Sequence, residues 1–142
     1  MKKILITIFL FMSLALQSQQ VFFTYEPITN RAGGIIEYSK KVGGYIGYSY
    51  GEKKKNDYGM TQRKFVIGLS VEINDYAKAL AGYNMQRTWE LYDHNSCLDI
   101  SKVHKHSFSI GFEINLFKRL YILTTTDPLN WQTDFGIGIK IF

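Results

Sequence analysis

Cysteine is nearly absent from this chain: Cys97 stands alone among 142 residues. No internal disulfide is available, so an exported domain would have to be held by its own ladders and packing. Proline occurs twice, at Pro27 and Pro128, which leaves long stretches free to donate every backbone N–H to a ladder. Excess charge is also scarce. The formal net charge is +5, and it falls to +3 without Lys2 and Lys3. A nucleic-acid partner is not expected, because such proteins carry a broader basic surface. No phosphate loop, Walker sequence or dinucleotide fingerprint occurs, so no cofactor is expected. The mature region has no apolar run near the 20 or so residues that a membrane helix needs.

What is present begins at the N-terminus. Met1-Lys2-Lys3 precedes the uncharged, mostly apolar stretch Ile4 to Leu16. A short basic region followed by about 13 apolar residues is the pattern of a secretory signal peptide. Ser13 and Ala15 suit cleavage after Ala15, and the polar run Gln17-Ser18-Gln19-Gln20 also suits cleavage after Ser18. No cysteine lies near either point, which argues against a lipid-modified N-terminus. The expected division is a signal peptide over 1–18 and one domain over 19–142.

Period-two alternation dominates that domain. Phe65-Ile67-Leu69-Val71-Ile73 oppose Val66-Gly68-Ser70-Glu72. Phe108-Ile110-Phe112-Ile114-Leu116 oppose Ser107-Ser109-Gly111-Glu113-Asn115. Phe135-Ile137-Ile139-Ile141 oppose Asp134-Gly136-Gly138-Lys140, and a weaker example runs from Ala77 to Gln86. Successive side chains leave opposite faces of a strand, so these segments predict strands. Val21 to Tyr25, Gly34 to Lys40, Val42 to Tyr50 and Leu120 to Thr126 complete a predicted set of eight. The links between them alternate in length. Glu26 to Gly33, Gly51 to Gln62 and Thr88 to Val103 are long, whereas Lys40-Lys41, Asn74-Asp75 and Lys118 are tight. All long links then fall at one end of an all-β, antiparallel, up-and-down barrel of about eight strands, as in transmembrane barrels.

Side-chain size decides which face is inside. An eight-stranded barrel has an interior just wide enough for its side chains. The apolar face here is bulky, and the opposite face is rich in glycine and serine. Glycine recurs mid-strand, at Gly47, Gly68, Gly82, Gly111, Gly136 and Gly138, where it normally weakens a strand and so calls for a steric reason. The small face therefore fits the lumen and the bulky face fits lipid. Buried charges need partners, so Glu37, Glu72, Glu113 and Asp134 are expected to form a lumenal network with Lys78 and Lys140. Tyr50, Trp89, Phe117, Tyr121 and Trp131 near strand ends are candidates for headgroup-level anchors.

The signal peptide, the alternating strands and the final run Asp134 to Phe142 resemble the small outer-membrane β-barrel proteins of Gram-negative bacteria. The resemblance covers nearly all of the mature chain and rests on pattern. In that family the last strand alternates apolar residues, ends in an aromatic and is recognised by the barrel-insertion machinery. Here Phe142 is terminal, one residue out of phase with Phe135, Ile137, Ile139 and Ile141. The resemblance implies an outer-membrane location, with lipid and lipopolysaccharide as surroundings and the insertion machinery as a partner in assembly. The run Lys53-Lys54-Lys55 in a long external link is read first as a solvated tip, and second as a contact for phosphate groups.

Residues with the chemistry for a site are few. His104 and His106 share one strand face, with Cys97, His94 and Asp93 nearby in sequence, and such ligands can hold zinc. The spacing matches no standard motif. Small outer-membrane lipid A deacylases use a His-x-Ser pair with a later Glu, and His106, Ser107 and Glu113 resemble that only partly. Adjacent strand residues face apart, so His106 and Ser107 cannot meet as base and nucleophile. The expectation is a non-enzymatic barrel with a structural or surface-interaction role. The alternatives are a soluble periplasmic or secreted barrel binding a small apolar ligand, and a lipid A-modifying enzyme.

Overall fold

The computed structural model describes residues 19–38, 41–55, 58–94 and 97–141, with side chains at all of these except 19, 53–55, 58–60, 90–94 and 97–102. The expected signal peptide and both cleavage points lie outside the described residues. The eight strands are β1 (Gln19–Glu26), β2 (Arg31–Tyr38), β3 (Val42–Lys55), β4 (Tyr58–Asn74), β5 (Ala77–His94), β6 (Cys97–Phe117), β7 (Leu120–Asp127) and β8 (Gln132–Lys140). Each pairs antiparallel with its sequence neighbours, and β1 pairs with β8 to close the barrel. Closure leaves no open sheet edge, the condition for placing strands in lipid.

Two of the predicted long links are not loops. The β3–β4 ladder continues to Lys55↔Tyr58, and the β5–β6 ladder continues to His94↔Cys97. Polar residues such as Gln62, Thr88 and Ser101 hid these hairpins from a reading that looked for apolar alternation. Gln62 and Thr88 are polar yet turned inward and buried, so the apolar alternation fades there while the ladder hydrogen bonds persist. Of the remaining two links at this end, Pro27–Asn30 is shorter than the predicted Glu26 to Gly33, and Pro128–Trp131 has the four residues expected of an intermediate link, set one residue later than Asp127 to Asn130. They are built alike. The Glu26 carboxylate accepts the backbone N–H of Ile28 at 2.7 Å and of Thr29 at 2.9 Å. The Asp127 carboxylate accepts those of Leu129 at 3.1 Å and Asn130 at 3.2 Å. An acidic side chain before a proline thus caps each turn. Each turn ends in a left-handed residue, Asn30 at φ 51° and Trp131 at φ 52°.

The bulky apolar face is outward on β1, β4, β6 and β8. Phe23, Leu69, Phe108, Ile110 and Ile137 are all more than 60% exposed. The nine residues from Phe65 to Ile73 rise about 20 Å along the barrel axis at a tilt near 40°, close to the roughly 25 Å apolar band of a transmembrane barrel. Of the aromatic residues near strand ends, Tyr50, Phe117 and Trp131 are exposed, but Tyr121 is buried and turned into the lumen.

The lumen is filled in layers. Its middle layer is apolar: Phe22, Ile35, Tyr45, Val66, Leu80 and Leu123 are all less than 10% exposed. The recurring glycines make the room for it. A Cβ on Gly68 would lie 2.3 Å from the Tyr45 ring, and one on Gly82 would lie 2.3 Å from its hydroxyl. A Cβ on Gly138 would lie 2.3 Å from the Phe22 ring. The inward face was expected to be small and polar throughout. A few large residues facing glycines on neighbouring strands fill the same space.

Candidate functional site

The charged groups of the lumen lie above and below that apolar layer. At the end with the tight turns, β2, β5 and β6 bring Glu37, Lys78 and Glu113 together. The Lys78 ammonium stands 3.0 Å from Glu37 and 3.1 Å from Glu113. Gln20 on β1 completes the group. In the amide orientation that its acceptor neighbours require, its nitrogen donates to Glu113 at 2.8 Å and to Glu37 at 3.2 Å. One ammonium and one amide thus serve two buried carboxylates, which need such partners once they are removed from bulk water.

At the opposite end, Asp134 on β8 is held between two cations. Arg31 on β2 approaches one carboxylate oxygen at 3.2 Å, and Lys64 on β4 bonds the other. The Arg31 fork also donates to Gln62 at 3.3 Å and to Gln132 at 3.4 Å. Beside this group, Asn84 donates to Asp127 at 3.4 Å, and Ser107 donates to the same carboxylate oxygen. Asp127 therefore caps a turn with one oxygen and ties β5 and β6 to β7 with the other.

The sequence-derived residues are distributed unevenly over these groups. Glu37, Lys78 and Glu113 meet, while Asp134 joins Arg31 and Lys64 at the far end. Glu72 and Lys140 do not belong to the buried cluster. Glu72 is exposed and Lys140 half-buried, and both stand at the rim of a depression over Lys78 and Glu113. Glu72 is the register partner of Lys78 and Lys140 that of Gln20, so both adjoin the network, but at positions near strand ends that reach water. Arg31, Lys64 and Gln20 were missed. Arg31 and Gln20 occupy inward positions of the weakly alternating strands β1 and β2, where facing was not legible. Lys64 sits one residue beyond the clean run that starts at Phe65.

The proposed metal ligands do not converge. His104 and His106 both face outward on β6, and the Tyr83 hydroxyl lies 2.9 Å from His106 Nδ1. Cys97 begins the same strand, seven residues from His104, which is roughly 23 Å along an extended chain. They cannot share an ion. The side chains of Cys97, His94 and Asp93 lie outside the described residues. Ser107 is buried inside the barrel and His106 exposed outside it, so the wall separates them. Glu113 is engaged by Lys78 and Gln20.

No protein-family model matches the chain, and no curated protein sequence matches it. Solved structures do. Ail, the attachment invasion locus protein of Yersinia pestis, superposes with a TM-score of 0.62 at 11% identity, over 87% of this chain and 92% of that one. The N-terminal β-barrel domain of Pseudomonas aeruginosa OprF gives 0.53 at 10% identity, over 87% and 96%. A de novo designed transmembrane β-barrel gives 0.53 at 13% identity, over 87% and 95%. At these identities the likeness is one of architecture, and the strand order, closure and inverted faces agree with it: the chain has the fold of the eight-stranded outer-membrane β-barrels.

Proposed function

We propose that the protein is an outer-membrane barrel with a sealed lumen, and that its role is structural or lies in surface interaction rather than in catalysis or conduction. The observation that carries this reading is the continuous exposed apolar belt around a filled interior. A soluble barrel with that belt in water would expose far more contiguous apolar surface than monomeric proteins tolerate. The interior offers an ion no path, since Phe22, Tyr45, Leu80 and Leu123 close the middle layer. The long hairpins of β3–β4 and β5–β6 extend beyond the belt and give the molecule its surface for contact. Ail and the OprF domain support only this coarse reading.

Cell fractionation tests the location. The mature protein is expected in the outer-membrane pellet after carbonate washing, and recovery in the soluble periplasmic fraction would overturn the proposal. Orientation is tested separately, in a Cys97→Ser background. Lys54→Cys, in the β3–β4 hairpin, is expected to react with a membrane-impermeant maleimide on whole cells, and Asn74→Cys, in the β4–β5 turn, is not. Equal labelling at both positions would contradict long hairpins facing outward.

A further inference from the structure

The barrel register places two arginines directly opposite each other. The row Tyr50, Arg63, Arg87, His104 runs across β3, β4, β5 and β6. All four residues are on the outer wall, and Arg63, Arg87 and His104 are exposed. Like charges directly opposite in a sheet repel, so this arrangement calls for a compensating group. The arginines also converge rather than splay. Arg63 lies 5.2 Å from the centre of the Trp89 ring and Arg87 lies 5.8 Å from it, while Arg63 is 5.9 Å from Tyr50. Stacking on one indole keeps both forks oriented on the same patch.

The row immediately below is Tyr48, Phe65, Met85, His106, and its members line one groove together with Arg63, Arg87 and His104. Below it the wall is apolar from Ile67 to Ile73. The cluster therefore sits at the upper margin of the belt, with cations above and an apolar trough beneath.

We propose that this groove binds a phosphorylated glycolipid of the surrounding leaflet. Arg63 and Arg87 clasp a phosphate, His104 contributes a further polar contact, and an acyl chain lies over Phe65 and Met85. Guanidinium forks match phosphate oxygens in pairs. A free anion would satisfy the arginines but leave the trough unused, and the depth of the site selects a ligand already in the membrane. The proposal rests on the reading of the barrel as a membrane protein.

The test uses the full chain with Trp131→Phe, so that Trp89 is the sole tryptophan, in uncharged detergent micelles. Diphosphorylated lipid A is expected to change Trp89 emission saturably, and the dephosphorylated form to bind about tenfold more weakly or worse. Arg63→Gln with Arg87→Gln should weaken binding by a similar factor. Lys118→Gln with Arg119→Gln removes the same charge at the opposite rim and should leave binding unchanged. A large excess of inorganic phosphate should not displace the lipid. Equal binding of both lipid forms, indifference to the arginine pair, or displacement by inorganic phosphate would each overturn the proposal. Heat-modifiable gel migration verifies folding of each variant. If the glutamine pair does not fold, Arg63→Gln and Arg87→Gln are titrated singly, and full lipid affinity in both would overturn the proposal. Fractionation reads the membrane location independently of this titration, so the two ideas fail separately.

Discussion

Lys78→Met is expected to destabilise the folded barrel by about 3–5 kcal/mol, the range for removing one partner of a buried ion pair. Methionine keeps the length and apolar stem of the side chain. What disappears is the ammonium between Glu37 and Glu113, at 3.0 and 3.1 Å. Both carboxyl groups are about 99% buried, and without the ammonium they face each other, the Gln20 amide and the Ser70 hydroxyl. Urea unfolding in detergent micelles, followed by tryptophan emission and by gel migration, measures the loss. The triple variant Lys78→Met, Glu37→Gln, Glu113→Gln carries no charge in this group and should recover most of the stability, because well-packed neutral groups often replace a buried ion cluster without loss. If Lys78→Met alone unfolds within about 0.5 kcal/mol of the parent, the lumen is hydrated enough to solvate the carboxylates, and the sealed interior is refuted.

The second large effect is expected at Gly68. A Cβ there would lie 2.3 Å from the Tyr45 ring and 2.5 Å from the Ala81 carbonyl oxygen. The ring could turn away only into a filled layer, and the carbonyl belongs to the β4–β5 ladder. Overpacking such a site costs roughly 1–3 kcal/mol, so Gly68→Leu should fold poorly into micelles. Its neighbour Leu69 is 62% exposed on the outer wall. Leu69→Phe should therefore be nearly silent, since lipid adapts to shape. Leu69→Arg should cost about 2–4 kcal/mol, as for a cation near the bilayer midplane. A silent Gly68→Leu together with a damaging Leu69→Phe would mean that the large side chains pack inside, as in a soluble barrel.

These two predictions differ in how they could be reached. The contrast between Gly68 and Leu69 was legible in the sequence. Alternation assigns them to opposite faces, and the narrow interior of eight strands assigns the small one inward. The same reasoning gave the closed antiparallel barrel and the end at which the long hairpins lie. It did not reveal that the interior has an apolar middle. Phe22 and Ile35 lie in β1 and β2, where Phe22 is followed by Phe23 and Ile35 by Ile36. Two apolar residues in succession carry no facing signal, and only the ladders Phe22↔Ile35 and Phe22↔Gly138 settle their direction.

Charge partners were legible as a list and illegible as pairs. Glu37, Lys78 and Glu113 could be placed on the inward face, but Lys140 and Glu72, the register partners of Gln20 and Lys78, share that face without sharing their burial. Depth depends on strand stagger, which is set by closure of β1 on β8 and has no local sequence signature. Asp134 illustrates the consequence: its partners Arg31 and Lys64 lie 103 and 70 residues away. The outer cluster has the same origin. Arg63 and Arg87 belong to different strands, and nothing in either segment announces the other until the β4–β5 register sets them side by side. The amino-acid sequence by itself determined which way each well-patterned side chain points, because that follows from the two-residue period of a strand. The tertiary structure alone decided which side chains stand at the same height, because height is a property of the closed barrel as a whole.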